Sequence, residues 1–228
     1  MKNQIMLKKC IITSILAALS VVLYVIGPKF SLPIFPNFLK VNFSMVPIFI
    51  CLIVVGAPYA LVIVLIRSLF GLITGTTSAG IGETADLIIG MITILFTQFG
   101  KFLFNNKAKD IPMFLFALLG WVVGGLLSNC FALPMYVNVM NAKEWLVFSM
   151  QKIIPAVTES NYVFYYFVAA VLPFNLILGF AVVTATYLIH FKLKDAYELF
   201  LTPDKKVKKE ENNLDDYNNT EENTYKLD

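Results

Sequence analysis

The sequence predicts an all-α integral membrane protein with six transmembrane helices and both termini in the cytoplasm. Six long apolar stretches fill nearly all of residues 11–191, and only short polar breaks separate them. A stretch of about 20 apolar residues crosses a bilayer as a helix, because lipid offers no hydrogen bonds to an open backbone. The composition agrees, since 58% of the residues are hydrophobic and only 14% are charged.

The limits of the spans follow from the turn residues between the apolar stretches. A Gly-Pro pair at 27–28 ends the first span, and Gly56-Ala57-Pro58 makes a tight turn between the second and the third. Small residues at 17–20 are of the kind found at signal-peptide cleavage sites, but the apolar run continues past them, so we expect an uncleaved span. The predicted spans are residues 10–26, 43–55, 59–74, 83–104, 112–134 and 162–191.

Three of the connections have features of their own. The first loop, residues 28–42, contains three prolines and three phenylalanines, and it is apolar enough to fold back onto the membrane domain. Residues 75–82 are rich in Gly, Thr and Ser and form a flexible loop. Residues 138–161 are expected to hold a short amphipathic helix around Trp145.

The C-terminal end of the chain differs in composition from the rest. From Thr202 onward Lys, Glu, Asp and Asn dominate, so this segment cannot bury enough apolar surface to fold. We therefore divide the chain into a six-helix membrane domain, residues 1–191, and a polar, disordered cytoplasmic tail, residues 192–228.

The distribution of lysine sets the predicted orientation, because short cytoplasmic loops carry an excess of Lys and Arg. Three lysine-rich regions lie on one side of six spans: the N-terminal segment, the loop between spans four and five, and the start of the tail. Their lysines are Lys2, Lys8, Lys9, Lys101, Lys107, Lys109, Lys192 and Lys194. The opposite side has only Lys29, Lys40, Lys143 and Lys152. Both termini are therefore expected in the cytoplasm.

Several kinds of chemistry lack the residues that they need. The single histidine, His190, ends the last span, and Cys10, Cys51 and Cys130 are widely spaced, so neither a metal site nor a disulfide framework is expected. The sequence has no Gly-Lys-Ser/Thr phosphate loop and no Gly-x-Ser-x-Gly nucleophile motif. A net charge of +3 is too small to indicate a nucleic-acid partner. We expect no catalytic residues and no cofactor.

Three ionisable residues lie at bilayer depth, where an unpaired charge is costly. Arg67 is in the middle of the third span, and Glu83 and Asp86 open the fourth on one helix face. The two spans are antiparallel neighbours, and Arg67 is long enough to reach Asp86. A fixed ion pair and a group that also faces a ligand are both compatible with this pattern.

Uncharged polar residues of several spans share the depth of these acids. Asn42 lies at the outer end of the second span, Asn129 and Tyr136 in the outer part of the fifth, and Asn175 in the outer half of the sixth. Each alone is typical of hydrogen bonding between membrane helices. Their common depth, beneath the Phe-rich first loop, favours a pocket that opens to the outside.

Small residues mark places where helix backbones approach closely. Gly120, Gly124 and Gly125 form such a pattern in the fifth span, and Ser14 and Ala18 lie one turn apart in the first. Packing inside the bundle and docking against another membrane protein both remain open for these residues.

Four segments, taken in order, carry a resemblance to a known family. They read LPIFPNFLKVNFSMVP at 32–47, GIGETADLIIG at 80–90, LPMY at 133–136 and LPFNLILG at 172–179. Over about residues 10–191 the chain resembles the substrate-binding (S) components of energy-coupling factor (ECF) vitamin transporters. The similarity is greatest to the riboflavin-specific branch.

The resemblance implies a multi-pass protein of the bacterial cell membrane, surrounded by lipid, that captures a vitamin near its outer face. Riboflavin would be its transported ligand, and a transmembrane T subunit with two ATPase subunits would be its partners. Ser14 and Ala18 match the small residues that face the T subunit in the family. The residues expected to bind the ligand are Leu39, Lys40, Asn42, Glu83, Asp86, Asn129, Tyr136 and Asn175.

The sequence departs from the riboflavin-type pattern at four places around the expected pocket. Asn42-Phe43-Ser44-Met45 replaces Asp-Phe-Ser-Asp, Arg67-Ser68 replaces Lys-Asn, Asp86 replaces an Asn, and Leu178 replaces a Lys. An S component for another planar vitamin such as folate therefore remains an alternative. A small membrane enzyme using Glu83 and Asp86 as acid and base is an alternative of a different class. A self-sufficient secondary carrier would show internal repeats, and none is visible.

Overall fold

The protein is almost entirely helical in the computed structural model, which describes residues 2–26, 30–36, 39–74, 79–104 and 110–201. Within these residues two short strands and eight α-helices follow one another, with a π-helical segment before the last helix. In chain order they are α1 Lys2–Val25, β1 Phe30–Ser31, β2 Lys40–Val41, α2 Met45–Val54, α3 Ala57–Ile73, α4 Ile81–Leu103, α5 Asp110–Val139, α6 Lys143–Gln151, α7 Tyr162–Tyr165, the π-helical segment Tyr166–Val171, and α8 Leu172–Leu201.

Four stretches of the described chain are long and apolar enough to cross a membrane. They are Asn3–Val25, Ile81–Leu103, Pro112–Val139 and Tyr162–Leu201, and α2 and α3 are shorter apolar helices. At roughly 1.5 Å per residue, α2 is about 15 Å long and α3 about 25 Å, against a hydrocarbon core of about 30 Å. Apolar helices therefore occur at each of the six predicted places, but α2 and α3 fall short of the bilayer thickness.

The short helix α2 lies inside the bundle, where each residue from Met45 to Leu52 is buried. The carbonyls at its C-terminal end lie inside the bundle, within reach of a side chain from a neighbouring helix. The Lys101 ammonium of α4 donates a hydrogen bond of 3.4 Å to the Leu52 carbonyl. A long flexible side chain of this kind serves as a cap for a helix end that lipid cannot satisfy.

Two helices extend beyond their predicted ends. The last helix continues to Leu201, ten residues beyond the predicted end of the sixth span at residue 191. The Lys8 ammonium lies 5.5 Å from the Phe200 ring, and this contact with α1 helps to order the extension. Residues 202–228 lie outside the described part of the chain. Helix α5 continues through Pro134 to Val139, because neighbouring helices support a proline inside a membrane helix.

The predicted sixth span is not a regular helix. Residues Tyr166–Val171 form a π-helical segment, and Pro173 is the second residue after it. Proline has no N–H for the bond to the carbonyl four residues earlier, so the backbone ahead of it adjusts its hydrogen bonds. This segment turns Tyr166 fully into the core.

The small residues of α5 pack inside the bundle against α4. A Cβ at Gly120 would lie 3.0 Å from Thr93 Cα, and one at Gly124 would lie 3.0 Å from Ile89 Cα. Only glycine permits this approach of two backbones. The structure thus confirms the intramolecular alternative for Gly120 and Gly124.

The first loop folds back onto the membrane domain, as predicted. Its ends form an antiparallel ribbon in which Phe30 pairs with Val41 and Ser31 with Lys40, which the sequence analysis did not predict. Phe35 is buried and meets the Phe174 ring edge-on at 5.5 Å. The predicted short helix around Trp145 is also present, as α6.

Candidate ligand-binding site

A cavity of about 590 Å³ lies between the first loop, helices α4 to α6 and α8. Its volume is in the range of small-molecule sites. The structure brings all eight residues that were expected to bind the ligand to its wall, although their contact with a ligand stays a prediction. They are Leu39, Lys40, Asn42, Glu83, Asp86, Asn129, Tyr136 and Asn175.

The cavity also has aromatic walls that the sequence analysis missed. Tyr24 comes from α1, Trp121 from α5, Trp145 from α6 and Phe174 from α8. Aromatic residues are common along membrane helices and at membrane surfaces, so their presence in the sequence carries no signal for a ligand site. Trp145 was noted as part of a short helix, and its side chain lines the cavity.

Arg67 is the centre of the charged side of the site. Its side chain is fully buried, and its Nη1 atom lies 3.6 Å from Asp86 Oδ2, which confirms the predicted ion pair. The same Nη1 donates a hydrogen bond of 2.9 Å to Ser44 Oγ. The guanidinium carbon lies 4.8 Å from the Tyr24 ring centroid, a cation–π distance. Asp86 keeps 29% of its side chain exposed, on the cavity wall.

Glu83 lies one turn before Asp86 on α4, and its side chain is held by a residue of α1. The predicted site did not include this helix. The Tyr24 hydroxyl of α1 donates a 3.1 Å hydrogen bond to Glu83 Oε1. Tyr24 reaches this position because α3 carries Gly71 beside it, where a Cβ would lie 2.5 Å from Tyr24 Cε1. The tyrosine therefore joins Glu83 of α4 to the cation of α3.

The charged side continues into the end of the first loop. Ser44 donates to Asn42 Oδ1 twice, through its backbone N–H at 3.0 Å and through its hydroxyl at 2.6 Å. The Ser44 carbonyl accepts a 2.7 Å hydrogen bond from the Ser20 hydroxyl of α1. These bonds fix the segment that joins β2 to α2, and with it the side chain of Asn42 on the cavity wall.

The opposite side of the site carries two amide side chains. Asn129 Nδ2 donates to the Gly125 carbonyl at 2.8 Å, and the Tyr166 hydroxyl donates to Asn129 Oδ1 at 2.6 Å. Asn175 Nδ2 donates to the Val171 carbonyl at 2.9 Å. Asn129 therefore joins α5 to the π-helical segment, so the helix-packing role holds for a residue that also lines the cavity.

Helix α6 covers the remaining edge of the cavity. Its side chains Leu146 and Met150 are fully buried against the bundle, and its Trp145 lines the cavity. Lys143 Nζ donates to Glu159 Oε2 at 2.7 Å. This hydrogen bond raises the pKa of Lys143 and lowers the pKa of Glu159. Both side chains are well exposed, so the pair contributes little to stability.

Comparisons with known proteins agree with the resemblance seen in the sequence. The family described as "ECF transporter, substrate-specific component" matches residues 8–190. The chain belongs to this family. It is 31% identical over 189 residues to the riboflavin transporter FmnP of Bacillus subtilis, covering 82% of this chain and 92% of that protein. It is 29% identical over 197 residues to the riboflavin transporter RibU of Streptococcus thermophilus, covering 82% and 83%.

A solved structure shares the fold of this S component. It is described as the S component of a bacterial ECF transporter, and it matches with a TM-score of 0.62 at 22% identity over 86% of this chain and 98% of that one. With four long apolar helices, this S component is a multi-pass protein of the cell membrane.

The two small residues predicted to face a partner lie on the outer surface of this S component. Ser14 and Ala18 are exposed on α1, whereas Thr13 and Ala17 point into the bundle. Neighbouring positions on the same side, such as Ile15, are also exposed. The surface is available to a partner, and the contact itself remains a prediction.

Proposed function

We propose that this S component captures riboflavin, or a closely related flavin, from outside the cell for ATP-driven import. The observation that carries the proposal is the cavity of about 590 Å³, which combines aromatic walls with amide and carboxylate groups. Three curated relatives with the name riboflavin transporter support the choice of ligand.

The chemistry of the cavity walls fits a flavin. A planar ring system needs apolar, aromatic walls, and Trp121, Phe174 and Trp145 supply them. The ring carbonyls and the hydroxyls of the side chain need a few donors and acceptors in fixed positions. We assign these polar contacts to Lys40, Asn42, Glu83, Asp86, Asn129, Tyr136 and Asn175, and an apolar contact with the ligand to Leu39.

The proposed topology has six spans, with both termini in the cytoplasm and the cavity toward the outside. The excess of lysine at one end of the spans supports this orientation. Helix α4 illustrates it, because Glu83 and Asp86 lie near its cavity end and Lys101 lies in its last turn. Protease-sensitive tags at both termini should be cleaved in inside-out vesicles and protected in intact cells.

In the proposed complex a T subunit and two ATPase subunits supply the energy for transport. The absence of a phosphate-binding loop in the sequence and the family membership support this assignment. We place the T subunit on the exposed face of α1 that includes Ser14 and Ala18. Uptake of riboflavin by this chain alone in liposomes under an ion gradient would contradict the proposal.

Substitution on α1 tests the partner surface. Ala18→Trp should abolish co-purification with the T subunit and leave riboflavin affinity unchanged, because the bulky ring keeps the two helices apart. Leu119→Trp is a matched control, since Leu119 is half exposed on α5. An intact complex with Ala18→Trp would assign this face to lipid.

The ligand is tested by mass spectrometry of small molecules released from the purified protein. We expect riboflavin, together with blue light absorption of the protein before release. Calorimetric titration with riboflavin and with folate then separates the two vitamins. Binding of folate without binding of riboflavin would replace the proposed ligand, and turnover of the bound molecule that depends on Glu83 and Asp86 would indicate an enzyme.

A further inference from the structure

We propose that Arg67 is a positioning residue that links Asp86 on the cavity wall to the first loop, so that ligand contact and loop closure are coupled. Arg67 itself is fully buried on α3 and does not line the cavity. It therefore acts through other residues rather than on the ligand. The inference rests on the proposed function, because it takes the cavity to be where the ligand binds.

The first step of the link is the shared contact of one nitrogen atom. Arg67 Nη1 lies 3.6 Å from Asp86 Oδ2 and 2.9 Å from Ser44 Oγ. A carboxylate on the cavity wall and the hydroxyl that anchors the first loop thus both lie beside the same guanidinium nitrogen. Movement of the guanidinium toward one of these partners lengthens its contact with the other.

The second step runs from Ser44 into the first loop. The Ser44 hydroxyl accepts from Arg67 and donates to Asn42 Oδ1 at 2.6 Å, so the three side chains form a chain of hydrogen bonds. Asn42 directly follows strand β2, whose partner strand is β1. Beyond the ribbon, Leu39 and Phe35 are buried against the membrane domain. A change at Ser44 is therefore passed on to the part of the loop that covers the cavity.

The guanidinium is not saturated by these contacts. Among the described residues, Nε and Nη2 of Arg67 have no hydrogen-bond partner. A buried cation of this kind depends strongly on the few polar contacts that it has. A ligand hydroxyl or N–H that binds Asp86 competes with Arg67 for the carboxylate. The hydrogen bond from Arg67 to Ser44 then becomes stronger. Ligand contact at Asp86 consequently tightens the loop.

The test is Ser44→Ala in the full-length purified protein, with riboflavin binding followed by stopped-flow fluorescence. This change removes the hydroxyl that joins Arg67 to Asn42, and it leaves the Arg67–Asp86 pair and the bond from the backbone N–H of residue 44 to Asn42 in place. We expect ligand release to accelerate about tenfold, the scale of a buried hydrogen bond to a charged group, with an unchanged association rate. Ser68→Ala is the matched control, because the buried Ser68 hydroxyl has no hydrogen-bond partner among the described residues.

A double-mutant cycle separates coupling from a purely structural role. Ser44→Ala should have less than about a third of its effect in an Asp86→Asn background, because neighbours in one hydrogen-bond network are not additive. Additive effects, or equal release rates for Ser44→Ala and Ser68→Ala, would overturn the proposal.

Amide hydrogen exchange of residues 30–41, measured in the ligand-free protein, tests the link between Arg67 and the loop without any ligand. Ser44→Ala should raise exchange in this segment, and Ser68→Ala should not. If the wild type does not bind riboflavin but this difference is found, the proposed function fails and the link between Arg67 and the loop stands. If exchange is equal in both variants, the link itself is wrong.

Discussion

On the charged side of the cavity, polar side chains of α1, α3 and α4 contact one another across helices, whereas the amides of Asn129 and Asn175 donate to backbone carbonyls four residues earlier. Arg67 contacts Asp86 and Ser44, and Tyr24 contacts Glu83, so each of these three contacts joins two different segments of the chain. Asn129 and Asn175 each donate to the carbonyl four residues earlier.

This difference separates two ways of holding a polar group inside a membrane protein. The charged side is a network, in which the removal of one member leaves the others buried without compensation. The amide side consists of units that remain satisfied when a neighbour changes, apart from the bond that Tyr166 donates. Substitutions on the charged side should therefore affect folding first, and those on the amide side should affect ligand affinity first.

The largest effect is expected for Arg67→Met, which removes the buried cation of the charged side and nearly keeps the side-chain volume. It leaves Asp86 and Glu83 at bilayer depth, and the loss of one partner of a buried ion pair costs about 3–5 kcal/mol. The midpoint of thermal unfolding in detergent should fall steeply. Adding Asp86→Asn should restore part of the loss, and an unchanged midpoint for Arg67→Met would show that the network is dispensable.

Gly125→Ala tests the amide side by steric means. The new Cβ would lie 2.3 Å from Asn175 Cγ and Oδ1, so Asn175 must leave its position. We expect a loss of stability of about 1–3 kcal/mol and a clear loss of riboflavin affinity. Gly90→Ala is a control with milder contacts of 3.2 Å to Met45 and Val64 side chains. Equal effects of both changes would argue against a special role for Asn175.

Asn129→Leu and Asn175→Leu should each weaken riboflavin binding by about tenfold, which corresponds to about 1.4 kcal/mol. The reason is that a ligand carbonyl or hydroxyl then faces an apolar group inside the cavity. Calorimetric titration gives the affinities, and the expression level controls for folding. Unchanged affinity in both variants would leave these residues with a role in helix packing alone.

A smaller effect is expected for Tyr166→Phe. It removes the 2.6 Å hydrogen bond that holds the Asn129 amide in one orientation, and it leaves the ring in the core. The expected loss is about 1 kcal/mol, or roughly fivefold in affinity. In an Asn129→Leu background the change should have almost no further effect. A full effect there would mean that Tyr166 acts on the ligand by another route.

The smallest effect is expected for a change at the C-terminal end of the chain, away from the charged side and the amide side of the cavity. Deletion of residues 203–228 removes a segment whose composition is too polar to form a core, so folding and binding should not change. Membrane expression and riboflavin titration of the truncated chain check this. A marked loss of either would assign the tail a role that its composition does not predict.

The pairing of Arg67 with Asp86 was predictable because the two helices are antiparallel neighbours and a charge at bilayer depth needs a partner. The shared depth of Asn129 and Asn175 was readable for a similar reason, since hydropathy gives the position of a residue along a span. Both arguments use one dimension, the distance along the membrane normal. They do not say how the helices are rotated or which neighbours they meet.

The missed features all depend on such rotation and close approach. Tyr24 and Ser44 are ordinary residues of a membrane helix end and a loop, and their roles arise only because α1, α2 and α3 meet around Arg67. Gly71 permits the approach of Tyr24 and has no local pattern that predicts it. The π-helical segment depends on how the backbone adjusts ahead of Pro173, which apolar periodicity does not reveal.

The unequal lengths of the helices also have a consequence for the surrounding lipid. Helix α3, with exposed apolar side chains such as Leu69 and Ile73, is about 25 Å long, but the apolar stretch of residues 162–191 is about 45 Å long. The hydrophobic mismatch therefore has opposite signs at these two helices, and the bilayer responds by thinning beside the first and by tilting the second. A change in membrane thickness should therefore affect these two helices in opposite directions, and tilt them relative to each other rather than shift both equally.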